Sequence, residues 1–282
     1  MHKLTLAFSP CPNDTYIFDA LVNKKIDTED LDFTYHLGDV QELNEAAEKQ
    51  TYDITKLSFF SFLSLAGTYY MLDAGSALGF GTGPLLIAKN RYTLEDLKHK
   101  TIAIPGEKTT ANMLFSLAMP YPVTKKEMLF SDIENAILKG YVDAGVIIHE
   151  NRFTYEQKGL VKIADLGELW EKKTSMPVPL GGIAVHKRVS PEIMKRVNNL
   201  IFKSIEYANK NANMPTLPEF ITCNAQEMSE DVMRKHINLY VNSYSLELGI
   251  TGKSAIISMF NKALEAGFIS AIPKHIFATD II

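Results

Sequence analysis

Short apolar runs that alternate with segments of helical pattern constrain the fold of this chain more than any other feature. Three predicted strands lie early: residues 4–8, residues 31–37, where apolar and polar side chains alternate, and residues 54–58. Each precedes a capping signal or a helical spacing of apolar side chains. Later predicted strands cover residues 85–88, 101–104, 144–148, 161–164 and 183–186. Strands that alternate with helices build mostly parallel sheets, so the sequence predicts an α/β fold.

Helix boundaries are marked by residues that prefer those positions. Two prolines are expected to delay the first helix until Asn13 or Asp14 can cap it. A helix predicted over residues 131–140 has a capping-box start and ends at a glycine. Another predicted helix covers residues 254–266 and is also stopped by a glycine.

Two places where the chain crosses between predicted sheets suggest a domain inserted into another. The crossings lie near residues 89 and 181, which predicts an outer α/β domain of residues 1–88 and 182–282 and an inserted α/β domain of residues 89–181. This layout creates a cleft between two lobes, and such clefts commonly hold small molecules.

The charge and hydropathy of the chain exclude several partners. The 282 residues carry 29 basic and 33 acidic side chains, with a net charge of −4 and no basic block, so nucleic acid is not an expected partner. No stretch approaches the length of a membrane span, and the apolar run at the amino terminus is too short for a signal peptide. We therefore expect a cytoplasmic protein whose oligomeric state the sequence leaves open.

Common cofactor and metal motifs are absent from the sequence. The glycine-rich segment 75–84 holds neither a G-x-G-x-x-G in a strand–helix setting nor a Walker lysine, and no H-E-x-x-H occurs. The two cysteines, Cys11 and Cys223, have no metal-finger spacing, and Cys11 is interpreted as a buried structural residue rather than a reactive thiol. These absences argue against a nucleotide phosphate loop and against metal catalysis.

One histidine follows a predicted strand at a position suited to catalysis. His149 comes directly after the apolar run at residues 144–148, which places its imidazole at the carboxyl edge of a parallel sheet, where α/β folds bind ligands. A histidine side chain titrates near neutrality and serves as base and then as acid. The alternative is a histidine that caps the strand and bonds to a nearby carbonyl.

Three predicted strand-to-helix junctions offer amide and hydroxyl donors: residues 12–14, residues 56–58 and the pair Thr109 and Thr110. A helix start suits a carboxylate or phosphate, although an ordinary N-cap is the commoner role of Ser and Thr there.

Two basic residues also have open roles. Lys56, in an apolar strand end, either reaches solvent or pairs with an anion. Arg152 has three candidate roles (an ion pair with Glu150, orientation of its loop, or substrate contact), of which loop orientation ranks first.

Four motifs occur in order along the chain: SPCPNDTYIF at residues 9–18, TKLS at 55–58, KTTA at 108–111 and IIHENRFTY at 147–155. Shorter pieces at residues 178–181 and 240–245 extend the similarity over nearly the whole chain. This series closely resembles the 1,4-dihydroxy-6-naphthoate synthases, a family of enzymes in the futalosine route to menaquinone.

The resemblance implies a two-lobed fold like that of type 2 periplasmic binding proteins, used here for catalysis. It implies a carbon–carbon lyase that converts cyclic dehypoxanthine futalosine to 1,4-dihydroxy-6-naphthoate without metal or organic cofactor. His149 matches the family's proposed proton acceptor. The positions that match its substrate contacts are Lys56, Leu57, Ser58, Thr109 and Thr110.

Two other functions are compatible with the same architecture. A non-catalytic solute-binding protein would be supported by a secretion signal or a lipid-attachment cysteine, and neither is visible. The related chorismate dehydratase shares the fold, but the motif around His149 argues against it.

Overall fold

A computed structural model describes residues 2–225 and 229–281. The chain forms two compact units, unit 1 from Met1–Gly79 with Pro179–Ile282 and unit 2 from Phe80–Val178. The sequence analysis drew the domain boundaries at residues 88 and 181 instead. Residues 80–88 fall in unit 2 because strand Leu85–Ala88 pairs with two strands of the unit 2 sheet.

Unit 1 is built on a six-stranded mixed sheet. The strands are β1 (His2–Phe8), β2 (Leu31–Leu37), β3 (Ile54–Ser58), β4 (Tyr69–Met71), β5 (Ala77–Gly79) and β11 (Val178–His186). The path of the sheet runs β2-β1-β3-β11-β4, and β5 also pairs with β11. Strand β1 is parallel to β2 and β3, whereas β11 is antiparallel to β3 and β4.

The helices of unit 1 enclose a core in which apolar side chains such as Phe8, Phe18 and Val197 are fully buried. The helices are α1 (Pro12–Val22), α2 (Val40–Glu48), α3 (Phe59–Leu65), α7 (Pro191–Lys210), α8 (Glu219–Thr222), α9 (Glu230–Tyr240), α10 (Ser243–Leu246) and α11 (Gly249–Glu265).

Two predicted helix starts in unit 1 were wrong. Helix α1 begins at Pro12, ahead of Asn13 and Asp14, since proline is well tolerated at the first helical position, where its missing N–H has no intrahelical partner. Helix α11 begins at Gly249, five residues before the predicted start at residue 254.

Unit 2 holds a five-stranded mixed sheet and three helices. The strands are β6 (Leu85–Ala88), β7 (Thr101–Ile104), β8 (Thr124–Glu127), β9 (Ala144–Ile147) and β10 (Val161–Asp165), and the helices are α4 (Thr110–Ala118), α5 (Ile133–Leu138) and α6 (Leu166–Thr174). The strand order is β10-β6-β9-β7-β8. Strand β7 is parallel to β8 and β9, whereas β6 is antiparallel to β9 and β10.

Helix α5 packs closely on β9, the strand that leads to His149. A Cβ on Gly145 would lie 2.4 Å from Cγ2 of Ile133, so only glycine permits this approach. The predicted helix over residues 131–140 is shorter in the structure, because a 3-10 turn covers Phe130–Asp132 before α5 begins. No side chain caps α5, so the predicted capping box is not formed.

Among residues 2–225 and 229–281, no helix combines the length and the apolar character needed to cross a membrane.

Candidate active site

Strand β3 carries Lys56 into the interior of unit 1. The Lys56 side chain is only 8% exposed, and its Nζ donates to Oδ1 of Asp14 at 2.7 Å. Of the two roles predicted for Lys56, solvent exposure is excluded and pairing with an anion is confirmed. That anion is a carboxylate of the chain itself.

Asp14 is the centre of a buried polar cluster. Its Oδ2 accepts hydrogen bonds from the hydroxyl and the backbone N–H of Ser9, at 2.8 and 3.2 Å, and its Oδ1 also accepts from Nδ2 of Asn13 at 2.8 Å. Hydrogen bonds to an ionised acceptor are about twice as strong as neutral ones. The cluster therefore holds the carboxylate in one orientation, against the Lys56 ammonium.

Ser58 is fixed by a residue that the sequence analysis did not single out. Asn44 accepts from the backbone N–H of Ser58 at 3.1 Å and donates to its Oγ at 3.2 Å. Ser58 precedes α3, but its side chain makes no capping hydrogen bond. The hydroxyl is thus held by Asn44, and the predicted N-cap alternative does not hold here.

Leu57 is fully buried between these two polar residues. On the neighbouring strand, β11, Gly181 lies so close that a Cβ there would be 2.6 Å from the Leu57 carbonyl oxygen and 3.6 Å from Cε of Lys56. A glycine at this position lets β11 lie against the Lys56–Ser58 segment.

In unit 2, Thr109 and Thr110 begin α4. Thr109 is a true N-cap, since its Oγ1 accepts from the backbone N–H of Asn112 at 3.2 Å. The same hydroxyl donates to the carbonyl of Gly106 at 2.8 Å. Thr110 is the first residue of the helix, and both threonines are buried. Thr109 thus has the ordinary capping role that the sequence analysis weighed against ligand binding.

His149 lies two residues beyond β9 in an unusual backbone conformation. Its φ is 60°, in the left-handed region that non-glycine residues rarely adopt. It opens a 3-10 turn over His149–Phe153, and its half-buried ring packs on that of Phe130, with centroids 4.7 Å apart. Conformations of this kind cost on the order of 1–3 kcal/mol and cluster at functional sites.

Arg152 anchors the turn that carries His149. Its Nη1 donates to the carbonyl of Gly83 at 2.6 Å, and its Nη2 donates to Oδ2 of Asp165 at 3.2 Å. The other oxygen of Asp165 accepts from the backbone N–H groups of Gly167 and Glu168 and so caps α6. The loop-orienting role predicted for Arg152 is confirmed.

The pKa of Tyr155, just beyond this turn, is raised to about 12, chiefly by burial and then by a hydrogen bond with Glu156. Its phenol therefore stays protonated near neutral pH and donates to Oε1 of Glu156 at 3.0 Å. Tyr155 is therefore a neutral donor.

Sheet topology relates the two candidate sites of unit 2. Strands β7 and β9 are adjacent and parallel, with Ile102 opposite Ala144. The Thr109–Thr110 pair follows β7 and His149 follows β9. Both therefore leave the sheet at its shared carboxyl edge, the edge at which open α/β folds bind ligands.

The remaining buried histidines have structural surroundings. His186 bonds to Oε1 of Gln50 at 3.1 Å and accepts from the backbone N–H of Arg188 at 2.9 Å. Burial, followed by the nearby Arg188 charge, lowers the pKa of His186 below its usual value. His236 lies in the core of unit 1 with its Nε2 against Asn13.

Comparisons with known proteins identify the family of this chain. A family model described as menaquinone biosynthesis matches residues 4–265. The chain is 37% identical over 279 residues to a 1,4-dihydroxy-6-naphthoate synthase of Thermus thermophilus, a match that covers 98% of this chain and 100% of the relative. It is 36% identical over 277 residues to a protein of the same name from Streptomyces coelicolor, with 95% of each chain covered.

Solved structures share the fold. A protein of Archaeoglobus fulgidus matches with a TM-score of 0.88 at 31% identity, over 95% of this chain and 99% of that one. The periplasmic aliphatic sulphonate-binding protein of Escherichia coli matches with a TM-score of 0.66 at 10% identity, over 100% and 92% of the two chains, which shows the fold alone. The predicted periplasmic-binding-protein-like α/β fold is confirmed, although both sheets are mixed where mostly parallel ones were predicted. The chain belongs to the menaquinone-biosynthesis family that includes the 1,4-dihydroxy-6-naphthoate synthases.

Proposed function

We propose that this protein is a carbon–carbon lyase that converts cyclic dehypoxanthine futalosine to 1,4-dihydroxy-6-naphthoate. The observation that carries the proposal is 37% identity, over 98% of the chain, to a relative named for that product. The left-handed conformation of His149 at the carboxyl edge of the unit 2 sheet supports it, since strained residues of this kind mark functional sites.

In the proposed mechanism, a neutral His149 imidazole removes a carbon-bound proton from the sugar-derived part of the substrate. Cleavage of a carbon–carbon bond then expels a sugar fragment, and the remaining ring becomes aromatic. Aromatisation supplies thermodynamic drive, and the histidine conjugate acid returns the proton later in the cycle. A histidine is suited to both steps because its protonation equilibrium lies near the working pH.

The remaining site residues bind and orient the substrate in this proposal. Buried donors place the reacting C–H bond toward the imidazole, which converts binding free energy into a lower activation barrier. Lys56 and Ser58 act from β3 and the start of α3, and Leu57, the third matched position, lies between them in the strand. Thr109 and Thr110 act through the start of α4, where the backbone of a helix N-terminus favours negative or polar groups, because the Thr109 hydroxyl already donates to Gly106.

Incubation of the purified protein with candidate substrates tests this function. Cyclic dehypoxanthine futalosine is expected to yield a naphthoate chromophore, whereas chorismate is expected to remain unchanged. Turnover of chorismate would identify the related dehydratase. Tight binding of the futalosine derivative with no product would identify a solute-binding protein of the same fold.

We also propose that the reaction takes place in the cytoplasm, because the relatives carry the name of a biosynthetic enzyme. Fractionation of cells that produce the protein at native level tests this, with recovery outside the cytoplasmic fraction as the contrary result.

A further inference from the structure

A continuous chain of buried hydrogen bonds leads from α9 to the Lys56 ammonium. Nε2 of His236 lies 2.8 Å from Oδ1 of Asn13, whose Nδ2 donates to Oδ1 of Asp14 at 2.8 Å. The same Asp14 oxygen accepts from Nζ of Lys56 at 2.7 Å. Each of these four residues is at least nine-tenths buried.

The chemistry of the four groups decides which atom donates in each of these hydrogen bonds. An amide oxygen only accepts, so His236 must donate its Nε2 proton to Asn13. That bond fixes which way the Asn13 amide faces and aims its NH₂ group at the Asp14 carboxylate. The carboxylate, also held by Ser9, is thereby presented to Lys56 in a fixed orientation.

The Lys56 ammonium can donate more hydrogen bonds than the one it makes to Asp14. An ammonium has three N–H donors, and within residues 2–225 and 229–281 the Asp14 carboxylate is the acceptor that its Nζ meets. A buried donor without an acceptor is costly, so such a group is suited to receive an oxygen from a ligand. Because Asp14 already balances its charge, a neutral hydroxyl or carbonyl oxygen suits it better than a second carboxylate.

We propose that Asp14, Asn13 and His236 are positioning residues that hold the Lys56 ammonium ready for a neutral, sugar-derived oxygen of the substrate. This inference rests on the proposed function. Under it, Asp14 acts on the reaction only through Lys56, and His236 acts only through Asn13 and Asp14.

A double-mutant cycle in the full-length protein tests the first step. We expect Asp14→Asn to lower kcat/KM on the order of 100-fold, as a misplaced binding group does. Lys56→Met is expected to lower it at least as much. The double variant is expected to match Lys56→Met within about twofold, because Asp14 has nothing further to position. Multiplied losses in the double variant, or wild-type kcat/KM for Asp14→Asn, would overturn the inference.

A milder pair of variants tests the second step with less risk to folding. His236→Gln retains an N–H donor for Asn13, whereas His236→Leu does not. We expect the glutamine variant to keep most of the activity and the leucine variant to lose it. Equal activity of the two would contradict the role of His236. His186→Gln, at a buried histidine outside the chain of bonds, is the matched control and is expected to keep wild-type kcat/KM.

Failure of the proposed function can be distinguished from failure of the positioning claim. In that case the wild-type protein itself leaves cyclic dehypoxanthine futalosine unchanged. A crystal structure of Asp14→Asn then decides the positioning claim alone, because Nζ of Lys56 is expected to leave its wild-type place. An unmoved Nζ would overturn the claim whatever the activity.

Discussion

The Lys56 cluster of unit 1 and the His149 turn of unit 2 hold their functional side chains by different means. At Lys56 the backbone is an ordinary strand, and the side chain is fixed by Asp14 at 2.7 Å within a buried polar cluster. At His149 the backbone itself is unusual, with a φ of 60°, and the turn is anchored three residues later by Arg152.

This difference separates two ways of placing a polar group. A charged side chain in a regular strand needs an internal counterion, because burial of a lone charge is costly. The His149 imidazole is placed by its left-handed backbone conformation and by ring contact with Phe130. Substitutions at Lys56 should therefore act through stability as well as activity, whereas substitutions at His149 should act mainly through activity.

The largest effect is expected at His149. We predict that His149→Ala lowers turnover by on the order of 100- to 10,000-fold, the range for one acid–base group. The thermal midpoint should fall little, since the lost ring is only half-buried. Steady-state assays and thermal melts measure both. His99→Ala, at an exposed histidine of the same unit, is the control, and equal activity of the two variants would remove His149 from the mechanism.

The second prediction concerns the stability of unit 1. Lys56→Met leaves the Asp14 carboxylate buried without its counterion, and we expect a loss of about 3–5 kcal/mol in the free energy of unfolding. Urea denaturation measures this loss. Lys235→Met breaks an exposed ion pair with Asp231 on α9 and should cost less than about 1 kcal/mol. Equal losses in the two variants would show that Lys56 is not held electrostatically.

The third prediction loosens the turn without touching His149. Arg152→Gln removes the charged donor shared by the Gly83 carbonyl and Asp165, and we expect it to cost about 2 kcal/mol of stability. Turnover should fall about tenfold as His149 loses its fixed place. Arg152→Lys cannot span both acceptors with a planar fork and should be intermediate. Unchanged turnover in Arg152→Gln would show that the turn holds His149 unaided.

The smallest effect is a pH dependence in unit 1 that is separate from the Lys56 cluster. Burial, with the Arg188 charge second, lowers the pKa of His186, whereas the nearby Asp53 raises it less. Below about pH 6.5 the unfolded chain binds a proton that the folded protein resists, so stability falls as the pH falls. The slope is at most about 1.4 kcal/mol per pH unit.

Urea unfolding at pH 8 and pH 5.5 measures this slope. His186→Gln is expected to reduce it, and an unchanged slope in that variant would assign the acid sensitivity to another group.

Local elements were largely predictable from the sequence. The bounds of β2, β3 and β7 were predicted correctly: β2 alternates apolar and polar residues, β3 ends where a helical apolar pattern begins, and β7 is followed by a proline–glycine turn. Strand β8 was missed, since its sequence Thr-Lys-Lys-Glu has no apolar side and all four residues are exposed at the sheet edge. Lysines on an edge strand discourage pairing with other chains.

Individual candidate site residues were predictable from the sequence, but the contacts between them were not. His149 and Lys56 stand out because each is a polar residue at the end of an apolar run. Their partners do not, because Asp14 lies 42 residues from Lys56 and His236 lies 223 residues from Asn13. These contacts depend on which strands and helices become neighbours, and one sequence does not specify that. The conformation of His149 likewise carries no local sequence signal.

A crystal structure with 1,4-dihydroxy-6-naphthoate bound tests the central claim about His149 most directly. We predict that the ligand lies against the His149 ring, with a ring nitrogen within hydrogen-bond distance of it and the left-handed backbone conformation retained. A bound ligand remote from His149, with an imidazole that contacts only protein, would contradict the account.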